Sequence, residues 1–203
     1  MIRSETNGSV LTLTLDRPDK ANALTKVMMS ELADHVEGIG SDISVVILTG
    51  AGRVFSAGMD LEAARDGLAT DPVWERLSGA IADCPALTIA ALNGTAAGGS
   101  LGMVLASDLR VAVPSASFFY PVMKLGFLPQ PSDPARLVAI AGGSTAKRIL
   151  LAGEKIKAPE ALALGLLDSV DDDVLAAAER MAEDAVTAGQ AHVSAIKGLI
   201  PRS

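Results

Sequence analysis

Two segments could do chemistry without a reactive side chain. VVILTGAGRVFSAGMDL (Val45–Leu61) and TIAALNGTAAGGSLGM (Thr88–Met103) share one layout: an apolar run, a glycine-rich turn and a helix start. A helix start leaves backbone N–H groups unpaired and carries a partial positive charge. Glycine lets a ligand come close to that backbone. If the two turns converge, one N–H from each gives a pair of donors for a single oxygen. Such an oxyanion hole is worth roughly 10²–10³ in rate per donor. The alternative is that these glycines serve only tight strand–helix packing. A phosphate loop fits less well, because GxxxxGK[ST] is absent and GAGRVF lacks the third glycine of a dinucleotide fingerprint.

Side chains with chemical potential lie around these turns. Asp60 follows the first turn, where an aspartate suits a helix cap better than proton transfer. Tyr120 is either a proton donor or an aromatic core residue with a hydrogen-bonded tip. Asp133, in QPSDPAR, is either within reach of a pocket or a turn-forming aspartate. His35 borders the apolar face of an early helix and reads as structural. Cys84 reads as a small buried hydrophobe. GGSLG (Gly98–Gly102) matches the GxSxG elbow of serine hydrolases, and Asp168 and His192 follow Ser100 in the required order. Against that reading, Ser100 lies well past the end of the preceding strand at Leu92, and no HGGG-like partner loop is present.

The elements that must carry these residues alternate. Leu11, Leu13 and Leu15 alternate with threonines, as a half-buried strand does. Leu24, Val27, Met28, Leu32, Val36 and Ile39 fall at helical spacing, closed by Gly38 and Gly40. Ser44–Gly50 and Ala86–Leu92 are continuous apolar runs, which predicts strands covered on both faces. MDLEAARDGL, Trp74–Pro85, and the stretch carrying Leu101, Val104 and Leu105 read as helices. Leu109–Val113 returns as a strand. Pro121, Pro129, Pro131 and Pro134 predict an irregular region, followed by short helices in STAKRILLAG and APEALALG. DDDVLAAAERMAEDAVTAG is an acid-started amphipathic helix. This order argues for α/β architecture with crossover connections.

The bulk properties exclude several classes. The 203 residues are 49% hydrophobic and only 3% aromatic, with net charge −7. A general nucleic-acid or anionic-membrane surface needs a basic field, so neither partner is expected. One cysteine allows no internal disulfide and suits a reducing, cytoplasmic setting. The first residues do not read as a signal peptide, and no apolar run suggests a membrane span. No metal site is expected.

In chain order, LDRPDKANAL, VVILTGAGRVFSAGMDL, ALNGTAAGGSLGMVLASDL, LGFLP and GEKIKAPEALALGLLDSV resemble the crotonase family, which includes the enoyl-CoA hydratases and isomerases. The resemblance covers about residues 8–170. It implies an α/β spiral of β-β-α units over residues 1–170, with a shortened C-terminal helical segment at 171–203. Such spirals usually assemble as trimers or hexamers, so a homo-oligomer is expected. The implied substrate is an acyl-CoA thioester of the kind met in fatty acid metabolism. Coenzyme A is then part of the substrate, with no tightly bound cofactor.

On the matching positions the resemblance places the oxyanion donors at Met59 and Gly99. It assigns the CoA part to backbone around Lys20, Ala21 and Ala23 and at Ala57, Asp60 and Leu61. Lys20, Arg17 and Arg53 either supply charge for the CoA phosphates or are ordinary solvated surface. Departures from the family pattern matter more. The two hydratase glutamates fall at Gly102 and Val122, and a later aspartate used by some isomerases and dehalogenases falls at Gln130. None of these three moves a proton. The expectation is an enzyme of lyase or isomerase type that stabilises a thioester enolate, with ordinary hydratase activity feeble or absent. The alternatives are a non-catalytic acyl-CoA binder or structural subunit and, more remotely, a serine hydrolase using Ser100.

Overall fold

The computed structural model describes residues 1–60, 62–63 and 67–200. Its frame is a six-stranded sheet in the order β1-β2-β3-β4-β6-β9. The hairpin of β1 (Ile2–Asn7) and β2 (Val10–Leu15) is antiparallel; every other pairing in this sheet is parallel. β3 (Val45–Gly50), β4 (Leu87–Leu92) and β6 (Leu109–Ala112) form its centre, and β9 (Ser169–Val170) its edge.

The apolar runs of β3 and β4 have a simple cause. Side chains alternate across a strand. Val46, Leu48, Ala90 and Leu92 face the main core, while Val45, Ile47, Ile89 and Ala91 face a second core on the opposite side. The main core is closed by α1 (Lys26–Glu37), α2 (Val73–Asp83) and α3 (Leu101–Ala106). Thr25 caps α1, its hydroxyl accepting from the Met28 amide at 3.3 Å. The second core is closed by α7 (Val174–Ala188), through Val174, Ala177, Ala178 and Ala182. Asp173 caps that helix by accepting from the Ala176 amide.

A smaller sheet, β5-β7-β8, is built from Ala96–Ala97, Ser117–Phe119 and Ile156–Lys157. Lone parallel bridges continue it, Ser56 to Ala96 and Leu24 to Met59. The chain therefore leaves the large sheet, passes through the small one and returns by a helix. β4-β5-α3 is one such turn; β6-β7 followed by α4 (Val122–Leu125) is another. This is the β-β-α spiral expected from the sequence, and its C-terminal helical part consists of α7 and α8 (Gln190–Leu199).

Two local expectations need correcting, and one strand stands outside them. The segment 2–7 is a strand, although its mostly exposed side chains show no apolar alternation. The proline region is not irregular throughout. Pro134 sits in the first turn of α5 (Asp133–Leu150), where its missing N–H costs nothing. STAKRILLAG is accordingly the second half of that helix, beyond a break at Gly142 (φ 80°, ψ 160°). α6 (Ala158–Ala163) opens with Pro159 as expected.

Candidate active site

The two glycine turns meet. Gly58 has φ +91°, and a Cβ there would lie 2.6 Å from the Ala97 carbonyl and 3.4 Å from the Gly98 Cα. Only glycine permits both the backbone angle and the approach. Ser56 and Ala97 join the turns, the Ala97 amide donating to the Ser56 carbonyl at 3.0 Å. Met59 stands just beyond. In its bridge to Leu24, the Gly58 carbonyl accepts from the Leu24 amide and the Asp60 amide donates to the Leu24 carbonyl. The Met59 N–H is left on the other side, with no acceptor among the described residues.

Met59 and Gly99 line one cavity of about 60 Å³. Trp74, Tyr120, Val122, Leu125, Phe127 and Gln130 form most of the rest of its wall. Gly99 must be glycine here, because a Cβ would fall 2.7 Å from the Trp74 ring. The indole is fixed in turn, donating from Nε1 to the Leu68 carbonyl at 2.8 Å. The Gln130 side chain donates to the Ala69 carbonyl, tying the same segment from the opposite wall.

The expected CoA-binding stretch lies against these turns. The Ala57 amide donates to the Ala21 carbonyl at 2.9 Å, and the Ala23 amide to the Lys20 carbonyl. Lys20, Ala57 and Arg53 are exposed, and Ala21 and Ala23 are half-buried. Leu61 lies outside the described residues. Asp60 does cap: its Oδ1 accepts from the Glu62 and Ala63 amides at 2.9 and 3.2 Å. Its Oδ2 pairs with Arg17 Nη1 at 2.6 Å. The Arg17 guanidinium and the two amides hold this carboxyl below its usual range. Arg17 is thus engaged by Asp60 and the Ala23 carbonyl.

Sequence reasoning missed two asparagines that set the first turn. Asn22 is fully buried; it accepts from the Arg17 amide and donates to the Ala51 and Val54 carbonyls. Asn93 accepts from the Gly50 amide and donates to the Gly52 and Val54 carbonyls. Two amides therefore clamp the loop between β3 and Met59. Asn22 and Ala21 both have positive φ, a conformation that asparagine tolerates better than most residues. The paired turn residues in DKANAL are the only signal for this in the sequence.

Gly102 and Val122 are buried in the helices on either side of Tyr120. Tyr120 is 4% exposed, and its hydroxyl accepts from the Gln130 amide at 3.3 Å. Burial, then the neighbouring Asp133, pushes its phenol pKa up. The Asp133 amide closes a turn on the Gln130 carbonyl at 3.1 Å, but its side chain takes no part in that turn. Asp133 is 1% exposed, and neither carboxyl oxygen has a hydrogen-bond partner among the described residues. Burial raises it to about 7; Glu75 pushes the same way, while the Tyr120 hydroxyl and Arg136 oppose. Glu75 is itself held by the Ser132 amide and hydroxyl.

The serine-hydrolase constellation does not come together. The Ser100 hydroxyl donates to the Ala97 carbonyl at 2.7 Å and accepts from the Ala97 amide. Asp168 accepts from the Arg110 amide and pairs with its guanidinium, and His192 is exposed on α8. His35 stands half-buried on α1, and Cys84 is buried, its thiol pKa raised by that burial. Among the described residues no cluster is placed to hold a metal ion, and no helix is long and apolar enough to cross a membrane.

A family model described as enoyl-CoA hydratase/isomerase matches residues 5–202. Carnitinyl-CoA dehydratase of Escherichia coli K12 is 34% identical over 202 residues, covering 94% of this chain and 76% of its own length. The 1,2-epoxyphenylacetyl-CoA isomerase of the same organism is 33% identical over 187 residues, covering 86% of this chain and 71% of its own. Pseudomonas aeruginosa DspI superposes with a TM-score of 0.90 at 30% identity, covering 98% of this chain and 85% of that one. The shared spiral and the sequence match along nearly its whole length place this chain in the enoyl-CoA hydratase/isomerase family.

Proposed function

We propose that the protein is an acyl-CoA enzyme that stabilises a thioester enolate between the Met59 and Gly99 amides. The observation that carries this reading is that both residues border one cavity, although they come from separate strand–turn–helix units. The carbonyl oxygen gains negative charge when a proton leaves the α-carbon, and two fixed N–H donors favour that state over the ground state. Val122, Leu125, Phe127 and Leu128 give the cavity an apolar wall suited to an acyl chain. The exposed Lys20 and Arg53, on loops where Pro18 and Gly52 approach each other, provide positive charge for CoA phosphates.

Glycine at 102 and valine at 122 leave no carboxylate at those positions to activate water. The expected outcome is isomerisation of a 3-enoyl-CoA with little or no hydration of crotonyl-CoA. Enone absorbance follows both reactions, and turnover of neither would end the enzymatic reading for these substrates. The apolar character of those two positions also favours a second reading, a non-catalytic acyl-CoA binder. Calorimetric binding of acyl-CoA without turnover would favour the binder; no binding would remove both readings. A trimer or hexamer is the proposed assembly, and light scattering of the purified protein reads its mass directly.

A further inference from the structure

Among the described residues, Asp133 is the one with buried side-chain polar atoms that find no hydrogen-bond partner. Its carboxyl is almost wholly shielded from solvent, and both oxygens lack partners among the described residues. Proteins rarely retain a buried acid without hydrogen bonds, because its ionisation is strongly penalised. Two neighbours of Asp133, Tyr120 and Gln130, belong to the cavity wall, while Glu75, Arg136 and Gly102 also lie near its carboxyl. Tyr120 lines the cavity, and its nearby hydroxyl is the group that most opposes the rise in the carboxyl's pKa. Gln130 lines the cavity too; its amide holds the Tyr120 oxygen and its carbonyl accepts from the Asp133 amide.

Gly102 completes the arrangement. A Cβ at that position would stand 3.1 Å from Asp133 Oδ1 and 3.6 Å from Oδ2. The carboxyl thus fills the volume that any side chain at 102 would take, one helical turn beyond Gly99. With the Gln130 N–H already directed at the Tyr120 oxygen, the phenol keeps its own proton to donate. The neighbouring Asp133 carboxyl offers it two buried acceptor oxygens left unpaired among the described residues. Such contacts are often loose without substrate and tighten once it binds.

We propose that Tyr120 and Asp133 form a proton relay, the phenol meeting the bound acyl chain and the Asp133 carboxylate behind it storing the proton. This rests on the acyl-CoA reading above. In a 3-enoyl thioester the α C–H bond breaks, and its proton passes to the Tyr120 oxygen as the phenol proton passes to Asp133. The electron pair moves into a dienolate whose oxygen lies between the Met59 and Gly99 amides. Return of the proton from Asp133 through Tyr120 to the γ-carbon gives the conjugated 2-enoyl thioester. Protons and electrons balance without a co-reactant. One stored proton suffices for this shift, whereas hydration needs a further group to activate water. Tyr120 is the catalytic residue in this scheme and Asp133 acts through it. A carboxyl that titrates near neutrality gives and takes a proton at comparable cost.

The test uses the full-length protein, trans-3-hexenoyl-CoA as substrate and hexanoyl-CoA as the calorimetric ligand. Wild type, Asp133→Asn and Tyr120→Phe are compared, with thermal melts to check folding. The expected result is that both variants bind hexanoyl-CoA within about threefold of wild type but lose about 100-fold or more in kcat. Wild-type kcat/KM should rise with pH through about 7 as Asp133 ionises, and the residual rate of Asp133→Asn should lack that rise. Wild-type kcat in either variant overturns the relay. So does a wild-type protein that binds hexanoyl-CoA but does not isomerise the substrate, although acyl-CoA binding then stands. Absence of hexanoyl-CoA binding by wild type overturns the acyl-CoA reading itself, and the relay with it. Should Asp133→Asn fail to fold, Tyr120→Phe decides alone, since it removes one oxygen and leaves the ring packing intact.

Discussion

Two single residues, Gly99 and Asp133, each lead to a measurable outcome. Gly99 is pressed against the Trp74 ring, so the Cβ of Gly99→Ala would lie 2.7 Å from an aromatic carbon. The indole is held at its nitrogen and cannot yield freely. Gly99→Ala should lower stability by about 1–3 kcal/mol through overpacking, read by denaturant unfolding. It should also cost about 100-fold in isomerase kcat/KM by displacing an oxyanion donor. Asp133 gives a pH signature. Its pKa is raised from 3.8 to about 7, so the folded state holds its proton more tightly than the unfolded chain. The stability this contributes is full below pH 3.8 and is lost as pH rises through about 7. Above that pH the buried charge costs on the order of 4 kcal/mol relative to the protonated group. Asp133→Asn should therefore melt above wild type at pH 8, with the gap closing towards pH 5. An equal gap at both pH values would contradict the raised pKa.

At the scale of elements, the Asp133 carboxyl is positioned by how α5 begins and how far it runs. Pro134 starts the helix, and Glu75 on α2 holds Ser132 just before it. Gly142 then breaks the helical path with φ 80° and ψ 160°, which side-chain-bearing residues avoid. Its neighbour Gly143 has no such angle and open space around it. Gly142→Ala should destabilise the protein by about 1–3 kcal/mol, while Gly143→Ala should be neutral or stabilising by up to about 1 kcal/mol. Equal effects in chemical denaturation would show that the break does not depend on Gly142. The same region marks where local sequence rules fall short. Clustered prolines read as loop, yet one of them opened a helix, because a first-turn position needs no N–H.

For the whole molecule, α7 gives the large sheet its second buried face. Removing residues 172–200 would expose Val45, Ile47, Ile89, Ala91 and Val111 together. The shortened protein should lose cooperative thermal unfolding and aggregate, as seen by circular dichroism and light scattering. A sharp melt would show that the sheet holds without this cover. The need for two covers was legible in advance, because β3 and β4 are apolar at successive positions rather than at alternate ones. The sequence by itself thus determined the alternation of strands and helices, the two-sided burial of the sheet and the two glycine turns, since period and glycine placement are local properties. Only the tertiary structure decided that Asp133 lies beside Tyr120 and in the space above Gly102, its carboxyl without a hydrogen-bond partner among the described residues. Those three residues are distant along the chain, and the burial that makes the carboxyl unusual comes from neighbours that no local pattern identifies.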